Sequence, residues 1–243
     1  GIDYNLFNYR LSGKADYYVR KSADLLGDYE INPTLGFTSA QVNTASMTNR
    51  GWEFQLTSKN IVNRNFEWNT TVSYALNRNK ITKVAISSDY STPLRLASGS
   101  PYIVGQPYGG MYSFRFGGLS HDDGQIQLLD ASGKIVEDNY YYDMDMVYFT
   151  GNTRPVTTAA ISNSFLYKGF DLSFMFVYYG GHYQRQSMPR ALSGVSAFDN
   201  RLKDAWKKPG DEQFTHIPNV LLNSNNSYYA TIYYGPYLDV NVF

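Results

Sequence analysis

The stretch GNTRPVTTAAISNSFLYKGFDLSFMFVYYGG, residues 151–181, has the pattern of two extended segments joined by a tight turn at residues 167–169. After the turn, aromatic and aliphatic residues recur at every second position, which is the period of a β-strand and not of a helix. These residues are Phe170, Leu172, Phe174, Phe176 and Tyr178. Polar residues, Asp171 and Ser173, lie between them. Such a hairpin suits either a half-buried soluble sheet or a membrane barrel whose outer face contacts lipid.

The same alternation extends to other parts of the chain. It predicts strands near residues 11–22, 49–59, 66–76, 157–167 and 170–179. The apolar faces of these segments carry Trp52, Trp68 and Tyr74, whereas charged residues such as Lys14 and Glu53 lie on the opposite faces. Each predicted strand therefore has one apolar face and one polar face.

The predicted connections alternate between short and long. Short turns fall at residues 6–10, 60–65 and 167–169, and long loops at 27–48, 77–156 and 180–236. Outer-membrane barrels have short periplasmic turns and longer extracellular loops. Soluble sandwiches have mixed loop lengths, and a connection as long as residues 77–156 is unusual in them. The pattern thus favours an all-β fold, a transmembrane antiparallel β-barrel with long extracellular loops.

Composition excludes several classes of protein. Among the 243 residues, Lys plus Arg and Asp plus Glu both total 21, so overall charge gives no support for a nucleic-acid partner. Cysteine is absent, which excludes a disulfide framework and a thiolate metal site. No run approaches the roughly 18 apolar residues of a spanning helix. Aromatic residues reach 16%, with 23 tyrosines, and such rings are favoured at membrane interfaces and on ligand-binding surfaces.

Five motifs follow one another along nearly the whole chain. They are residues 7–26 (FNYRLSGKADYYVRKSADLL), 49–54 (NRGWEF), 104–107 (VGQP), 151–155 (GNTRP) with 167–172 (YKGFDL), and Trp206 with 208–212 (KPGDE) and Ile217-Pro218. In order and spacing this set resembles the SusC/RagA-type TonB-dependent outer-membrane transporters, which import glycans or peptides.

The resemblance implies a fragment from the C-terminal part of a 22-stranded barrel in the cell outer membrane, with the plug and the final strands absent. It implies import of oligosaccharides or peptides, without enzymatic activity or a cofactor. It also implies two protein partners, a SusD-like surface lipoprotein and TonB, the latter acting through the absent N-terminal region. Alone, such a fragment exposes two sheet edges and a lipid-facing surface, and we expect it to be insoluble.

Two groups of aromatic residues are candidate functional residues. Five loop tyrosines are candidate substrate contacts, although packing of loop against loop or against a partner explains them equally well: Tyr140, Tyr141, Tyr142, Tyr228 and Tyr229. Five strand aromatics are expected to face lipid: Trp52, Trp68, Tyr74, Phe174 and Phe176.

Catalytic and metal sites receive little support. Asp122 and Asp130 are weak Ca²⁺ candidates, because the segment DASGKI at 130–135 lacks the intervening acids of an acidic DxNxDG-like repeat found in many relatives. The three histidines are far apart, and no GxSxG motif occurs.

Two alternatives remain from the pattern. A soluble β-sandwich that binds carbohydrate would pack its apolar faces on each other, and a secreted β-rich hydrolase would bring two carboxylates together in a cleft. Enclosure of Trp52, Trp68, Phe174 and Phe176 in a sealed interior would contradict the barrel.

Overall fold

A computed structural model describes residues 1–30, 36, 39–84, 92–99, 101–136, 143–187, 200–219 and 237–243. The chain divides into two compact units. The first comprises Gly1–Ser87, Tyr102–Tyr108 and Arg154–His182, and the second comprises Ser88–Pro101, Gly109–Thr153 and Tyr183–Phe243. Each unit contains its own antiparallel β-sheet.

The described residues form nine strands and one short α-helix. They are β1 (Ile2–Leu6), β2 (Leu11–Glu30), β3 (Ser39–Val62), β4 (Phe66–Val84), α1 (Pro93–Ser98), β5 (Gly110–Leu119), β6 (Ile126–Leu129), β7 (Val147–Asn152), β8 (Thr157–Tyr167) and β9 (Phe170–Gly180). The first unit holds a six-stranded sheet of order β1-β2-β3-β4-β8-β9, in which every neighbouring pair is antiparallel. The predicted all-β class is confirmed.

Tight turns connect the strands where the sequence predicts them. Between β8 and β9, Lys168 (φ 47°) and Gly169 (φ 89°) both adopt left-handed backbone, as a two-residue hairpin turn that matches the strand twist requires. Between β3 and β4, the Asn63 side chain accepts hydrogen bonds from the backbone N–H groups of Asn65 (3.1 Å) and Phe66 (2.8 Å). These turns all lie at one end of the sheet, which we call the turn side; the opposite end is the loop side.

Strands β2, β3 and β4 are longer than predicted. The predicted loop 27–48 is wrong over most of its length, because β2 continues to Glu30 and β3 begins at Ser39. Register shifts interrupt the β2–β3 ladder between Ser22 and Leu26. A bulge breaks the period of two, while the backbone hydrogen bonds that sustain the ladder need no side-chain alternation. The sequence pattern therefore faded before the strands ended.

The second unit has a core of its own. Strand β5 lies at the centre of a three-stranded sheet of order β6-β5-β7. Phe114, Leu128 and Leu238 are fully buried there, and Phe114 forms a parallel bridge with Leu238. A packed core of this kind indicates a structured unit and not a set of loose loops.

The second unit corrects the prediction that residues 77–156 are one long loop, because strands β5, β6 and β7 lie within that range. The core of this unit also depends on segments that are distant in sequence, such as the bridges between Phe114 and Leu238 and between Arg185 and Val242, and local periodicity does not reveal such contacts. Two smaller elements complete the described part of the second unit. A bridge between Leu129 and Ile135 closes a hairpin after β6, and Asn200–Asp204 forms a 3-10 helix.

Candidate functional site

The strand register of the first unit places the predicted apolar faces on a single side of the sheet. Opposed residues on antiparallel strands share a face. Tyr17 pairs with Trp52, Trp52 with Leu76, and Phe54 with Tyr74. The series continues through Val72 and Ile161 to Phe176. We call this continuous surface, which runs from β2 to β9, the aromatic face.

The side chains of the aromatic face are exposed. Trp52 is 46%, Phe174 41% and Phe176 67% accessible, and Trp68 is half-buried. None of the four is sealed in an interior, so the arrangement that would contradict the barrel is not found. Their placement on one face agrees with the sequence, while their contact with lipid stays a prediction.

The rings on the aromatic face form two belts. The loop-side belt consists of Tyr17, Trp52, Phe54 and Tyr74, with successive ring centroids 4.7, 6.0 and 6.3 Å apart. The turn-side belt consists of Phe66, Trp68, Phe165 and Tyr167, with centroid distances of 5.6–6.4 Å. On β4, Phe66 and Tyr74 are eight positions apart, which corresponds to about 27 Å along a strand. At a strand tilt of about 40° the belts are about 20 Å apart along the barrel axis, close to the ~25 Å apolar band of outer-membrane barrels.

A polar chain of side chains, which the sequence pattern did not reveal, crosses the aromatic face near the turn-side belt. Asn163 Oδ1 accepts hydrogen bonds from Trp68 Nε1 (3.0 Å) and from Thr70 Oγ1 (2.7 Å). Thr70 in turn accepts one from Asn60 Nδ2 (2.7 Å), and Asn60 accepts one from the Ser58 hydroxyl (2.8 Å). Polar groups in an apolar medium must satisfy one another, and these do so within the sheet.

The opposite face of the sheet is mostly polar. Lys14, Asp16 and Glu53 lie on it, and Lys14 with Glu53 helps to line a recess of about 240 Å³. The alternation fails in the second half of β9, where Met175, Val177 and Tyr179 place exposed apolar groups on this face as well. Strand β9 is one of the two edge strands of the described sheet, and its second half is apolar on both faces.

The sequence of the chain is similar to those of TonB-dependent receptors. TonB-dependent receptor P39 of Formosa agariphila is 26% identical over 280 residues, which cover 93% of this chain and 26% of that protein. TonB-dependent receptor P26 of the same organism is 30% identical over 190 residues, 72% of this chain and 19% of that protein. This chain therefore spans only about a fifth to a quarter of these curated relatives. No family model matches.

Solved structures show the same fold. The RagAB peptide importer in its closed-closed state superposes with a TM-score of 0.72 at 23% identity, covering 99% of this chain and 26% of that one. Its open-open state gives a TM-score of 0.69, covering 91% and 24%. The chain belongs to the SusC/RagA-type TonB-dependent receptors. The six-stranded sheet of this receptor is a segment of a barrel wall.

Several motifs that carry the family resemblance have structural roles in this receptor. In the Trp206 motif, Glu212 Oε2 accepts hydrogen bonds from Trp206 Nε1 (3.2 Å) and from the Gly210 backbone (2.8 Å). The carboxylate of Asp211 accepts two more from the backbone N–H groups of Lys207 and Lys208. The carboxylates of Asp211 and Glu212 thus hold this loop together through hydrogen bonds within the motif.

The motif at 104–107 forms backbone hydrogen bonds with the last part of β4. Gly105 N donates to Ile81 O, and Ile81 N donates to Gln106 O, both at 2.9 Å. Gly105 has a φ of 91°, a conformation that favours glycine. This fastening extends the sheet beyond the point where β8 begins.

The predicted substrate contacts of the receptor fall outside the part of the chain that the structure describes. Tyr140, Tyr141, Tyr142, Tyr228 and Tyr229 all lie outside the described residues, so their role as substrate contacts stays a prediction. No helix among the described residues is long and apolar enough to cross a membrane.

The weak calcium candidates lie in the second unit of the receptor. Asp130 Oδ1 accepts hydrogen bonds from the Ser132 backbone (2.8 Å), the Ser132 hydroxyl (2.7 Å) and the Lys134 backbone (2.9 Å). These bonds lower the pKa of Asp130 and close the turn of the β6 hairpin. Asp122 is exposed, and within the described ranges no cluster of three or more His, Cys, Asp or Glu residues occurs.

One histidine of the receptor has a charged partner. His121 Nδ1 lies 2.8 Å from Glu212 Oε1 in the second unit. This hydrogen bond and the carboxylate charge raise the pKa of His121, and the same bond is the largest cause that lowers the pKa of Glu212 to about 2. The pair joins the loop after β5 to the Trp206 motif.

Proposed function

We propose that this chain forms part of the wall of an outer-membrane importer, with the aromatic face in lipid and the polar face toward the lumen. The observation that carries the proposal is the continuous exposed aromatic face with its two ring belts. Rings at the two membrane–water interfaces and an apolar band between them are the pattern of such barrels. A soluble sandwich would instead enclose this face.

The charges of the sheet support the same orientation. Lys14, Asp16 and Glu53 all lie on the polar face. A charged side chain at the lipid midplane costs about 2–4 kcal/mol, whereas it is readily solvated in a water-filled lumen. The segregation of charge from the band between the belts is therefore what a barrel wall requires.

The cargo is an oligosaccharide or a peptide, and uptake depends on TonB and on a SusD-like surface lipoprotein. Membership of the receptor family supports these assignments, and the fold likeness to a peptide importer is compatible with them. The tyrosines of the long connections, Tyr140–Tyr142 and Tyr228–Tyr229, are proposed to contact cargo, because aromatic faces stack on sugar rings and pack on peptides. The role is transport, and no catalytic group is assigned.

A matched pair of substitutions in the full-length receptor tests the orientation of the wall. Ile161 lies on the aromatic face between the belts, and the neighbouring Ser162 lies on the polar face. We expect Ile161→Arg to destabilise the membrane-inserted barrel by about 2–4 kcal/mol and Ser162→Arg to cost much less. Folded receptor is measured by its resistance to SDS at room temperature. Equal effects of both substitutions, or a larger effect of Ser162→Arg, would contradict the proposal.

The transport assignment needs a second measurement. Cells that depend on this receptor for an oligosaccharide or peptide source should lose growth on that source when the receptor or TonB is deleted. The SusD-like lipoprotein should copurify with the full-length receptor. Uptake that continues undiminished without TonB would overturn the assignment.

A further inference from the structure

The aromatic face becomes basic immediately beyond the loop-side belt. Trp52 belongs to the belt, and the next residue of β3 on this face is Arg50. On β4, Leu76 is followed on the same face by Arg78 and then by Lys80. All three basic side chains are exposed. We call Arg50, Arg78 and Lys80 the basic cluster.

The cluster places like charges side by side. Arg50 pairs directly with Arg78, and Thr48 pairs with Lys80 one layer further along the strands. Directly opposed residues have Cβ atoms about 5 Å apart, and like charges in that position are destabilising. Lys21, opposite Thr48 on β2, adds a fourth cation to the same face. The positive charges therefore repel one another here, and a bound anion would reduce this repulsion.

No anion within the protein offsets these charges among the residues that the structure describes. The ion pairs formed there involve Asp16 and Glu212 and none of the four cations. Arg50, Arg78 and Lys80 line a recess of about 630 Å³ on the first unit. The basic groups of the cluster thus point to a ligand from outside the chain.

The walls of the recess combine three kinds of surface. The cations provide one side, and the hydroxyl-bearing Thr48 and Thr82 lie among them. The adjacent rings of Tyr17 and Trp52, with centroids 4.7 Å apart, provide an aromatic side. Aromatic faces with hydroxyl groups suit a sugar ring, and arginine pairs are suited to a phosphate.

We propose that the basic cluster binds the phosphorylated sugar head group of an outer-leaflet glycolipid of the lipid A type. This inference rests on the proposed function, which places the aromatic face in lipid; in such barrels the turn side is periplasmic, so the loop side lies at the outer leaflet. The lipid's acyl chains then lie along the apolar band toward Val72 and Ile161, while its phosphate meets Arg50 and Arg78. Basic pockets at the membrane surface bind anionic head groups in this way.

The test uses the full-length receptor in detergent micelles after removal of bound lipid. The probe is bis-phosphorylated lipid A, and its affinity is measured by native mass spectrometry. We expect the double variant Arg50→Gln/Arg78→Gln to bind lipid A roughly tenfold more weakly or worse. Each substitution removes the charge-assisted hydrogen bonds that the arginine donates to phosphate. The matched control is Lys14→Gln/Arg20→Gln, which removes the same charge from the polar face and should bind as the unaltered receptor does.

Two further probes fix the chemistry of the ligand. Dephosphorylated lipid A should bind as weakly to the unaltered receptor as lipid A binds to the double variant. Phosphatidylglycerol, an anionic lipid without the sugar head group, should also bind more weakly than lipid A. Binding of phosphatidylglycerol as tight as that of lipid A, or equal losses in the cluster and control variants, would overturn the proposal.

Failure of this inference is distinguishable from failure of the proposed function. If the cluster variant binds lipid A normally while Ile161→Arg still destabilises the inserted receptor much more than Ser162→Arg does, the glycolipid site is wrong and the orientation of the wall stands. If Ile161→Arg and Ser162→Arg behave alike, the orientation of the wall fails and the glycolipid site fails with it.

Discussion

Gly51 shows how a single residue sets the contact between two strands of the wall. It lies opposite Tyr18 on the polar face, and the tyrosine ring covers it. An added Cβ would lie 2.5 Å from the ring and 2.7 Å from the carbonyl oxygen of Leu76. The glycine in the NRGWEF motif is therefore explained by close packing, and a ring across the strand restores the contact that the glycine lacks.

We predict that Gly51→Ala destabilises the inserted receptor by about 1–3 kcal/mol, because the ring and the backbone must move apart. The cost should be smaller when Tyr18→Ala is also present, since the ring contact is then gone. Urea unfolding of the receptor in lipid vesicles measures both. An equal cost of Gly51→Ala in the two backgrounds would show that the ring does not require the glycine.

The pair of His121 and Glu212 predicts a dependence on pH at the residue scale. Because folding raises the pKa of His121, this histidine stabilises the fold fully below its ordinary pKa of 6.5, and the stabilisation is lost as pH rises through the raised pKa. Because folding lowers the pKa of Glu212, this glutamate stabilises the fold above its ordinary pKa of 4.5, and the stabilisation is lost as pH falls toward 2. The pair is therefore strongest between about pH 4.5 and 6.5. Because the His121 side chain is 67% exposed, solvent screens the pair.

We expect Glu212→Gln to lower the pKa of His121. A pH titration of the receptor with ¹³C-labelled histidine, with the resonance assigned by His121→Asn, measures the change. A pKa of His121 that stays the same in Glu212→Gln would mean that the two groups are apart in solution.

At the scale of the element, the β8–β9 hairpin depends on the backbone of its turn. Gly169 has a φ of 89°, and an added Cβ would meet nothing within 4 Å. Any cost of Gly169→Ala is therefore conformational, and we predict about 1 kcal/mol from the left-handed backbone alone. Lys168→Asn should be neutral or slightly stabilising, because asparagine tolerates the left-handed region that Lys168 adopts. Urea unfolding of the two variants measures these changes. A Gly169→Ala midpoint equal to that of the unaltered receptor would show that the left-handed backbone at this position does not require glycine.

The elements also show what the sequence could predict. The hairpin at 157–180 was predictable because its alternation, its turn residues and its ladder all agree. The outer halves of β2 and β3 were not, because the shifts around Leu25 break the period there. The second unit was least predictable, since β5 meets Leu238 only after a separation of more than a hundred residues.

The candidate site was predictable to a similar extent. Trp52 and Trp68 were placed on the correct face by alternation alone. The basic cluster was missed, because Arg50 and Arg78 become neighbours only through the β3–β4 register. The polar chain from Ser58 to Asn163 was missed for the same reason.

For the whole molecule, a barrel wall requires that the aromatic face of the sheet, and not the polar face, meets lipid. Strand β8 offers a direct test, because both of its neighbours in the sheet are described and its face assignments follow from them. The chain contains no cysteine, so single cysteines introduced along β8 carry a label at one known place within it.

The decisive measurement is the accessibility of spin labels placed singly from Thr157 to Tyr167 in the full-length receptor, reconstituted in lipid bilayers. Oxygen concentrates in the bilayer, and a nickel chelate stays in water. We predict that labels at residues 159, 161 and 165 collide more with oxygen, and that labels at residues 160, 162 and 164 collide more with the nickel chelate. An accessibility profile without a period of two, or with the opposite phase, would contradict the barrel wall described here.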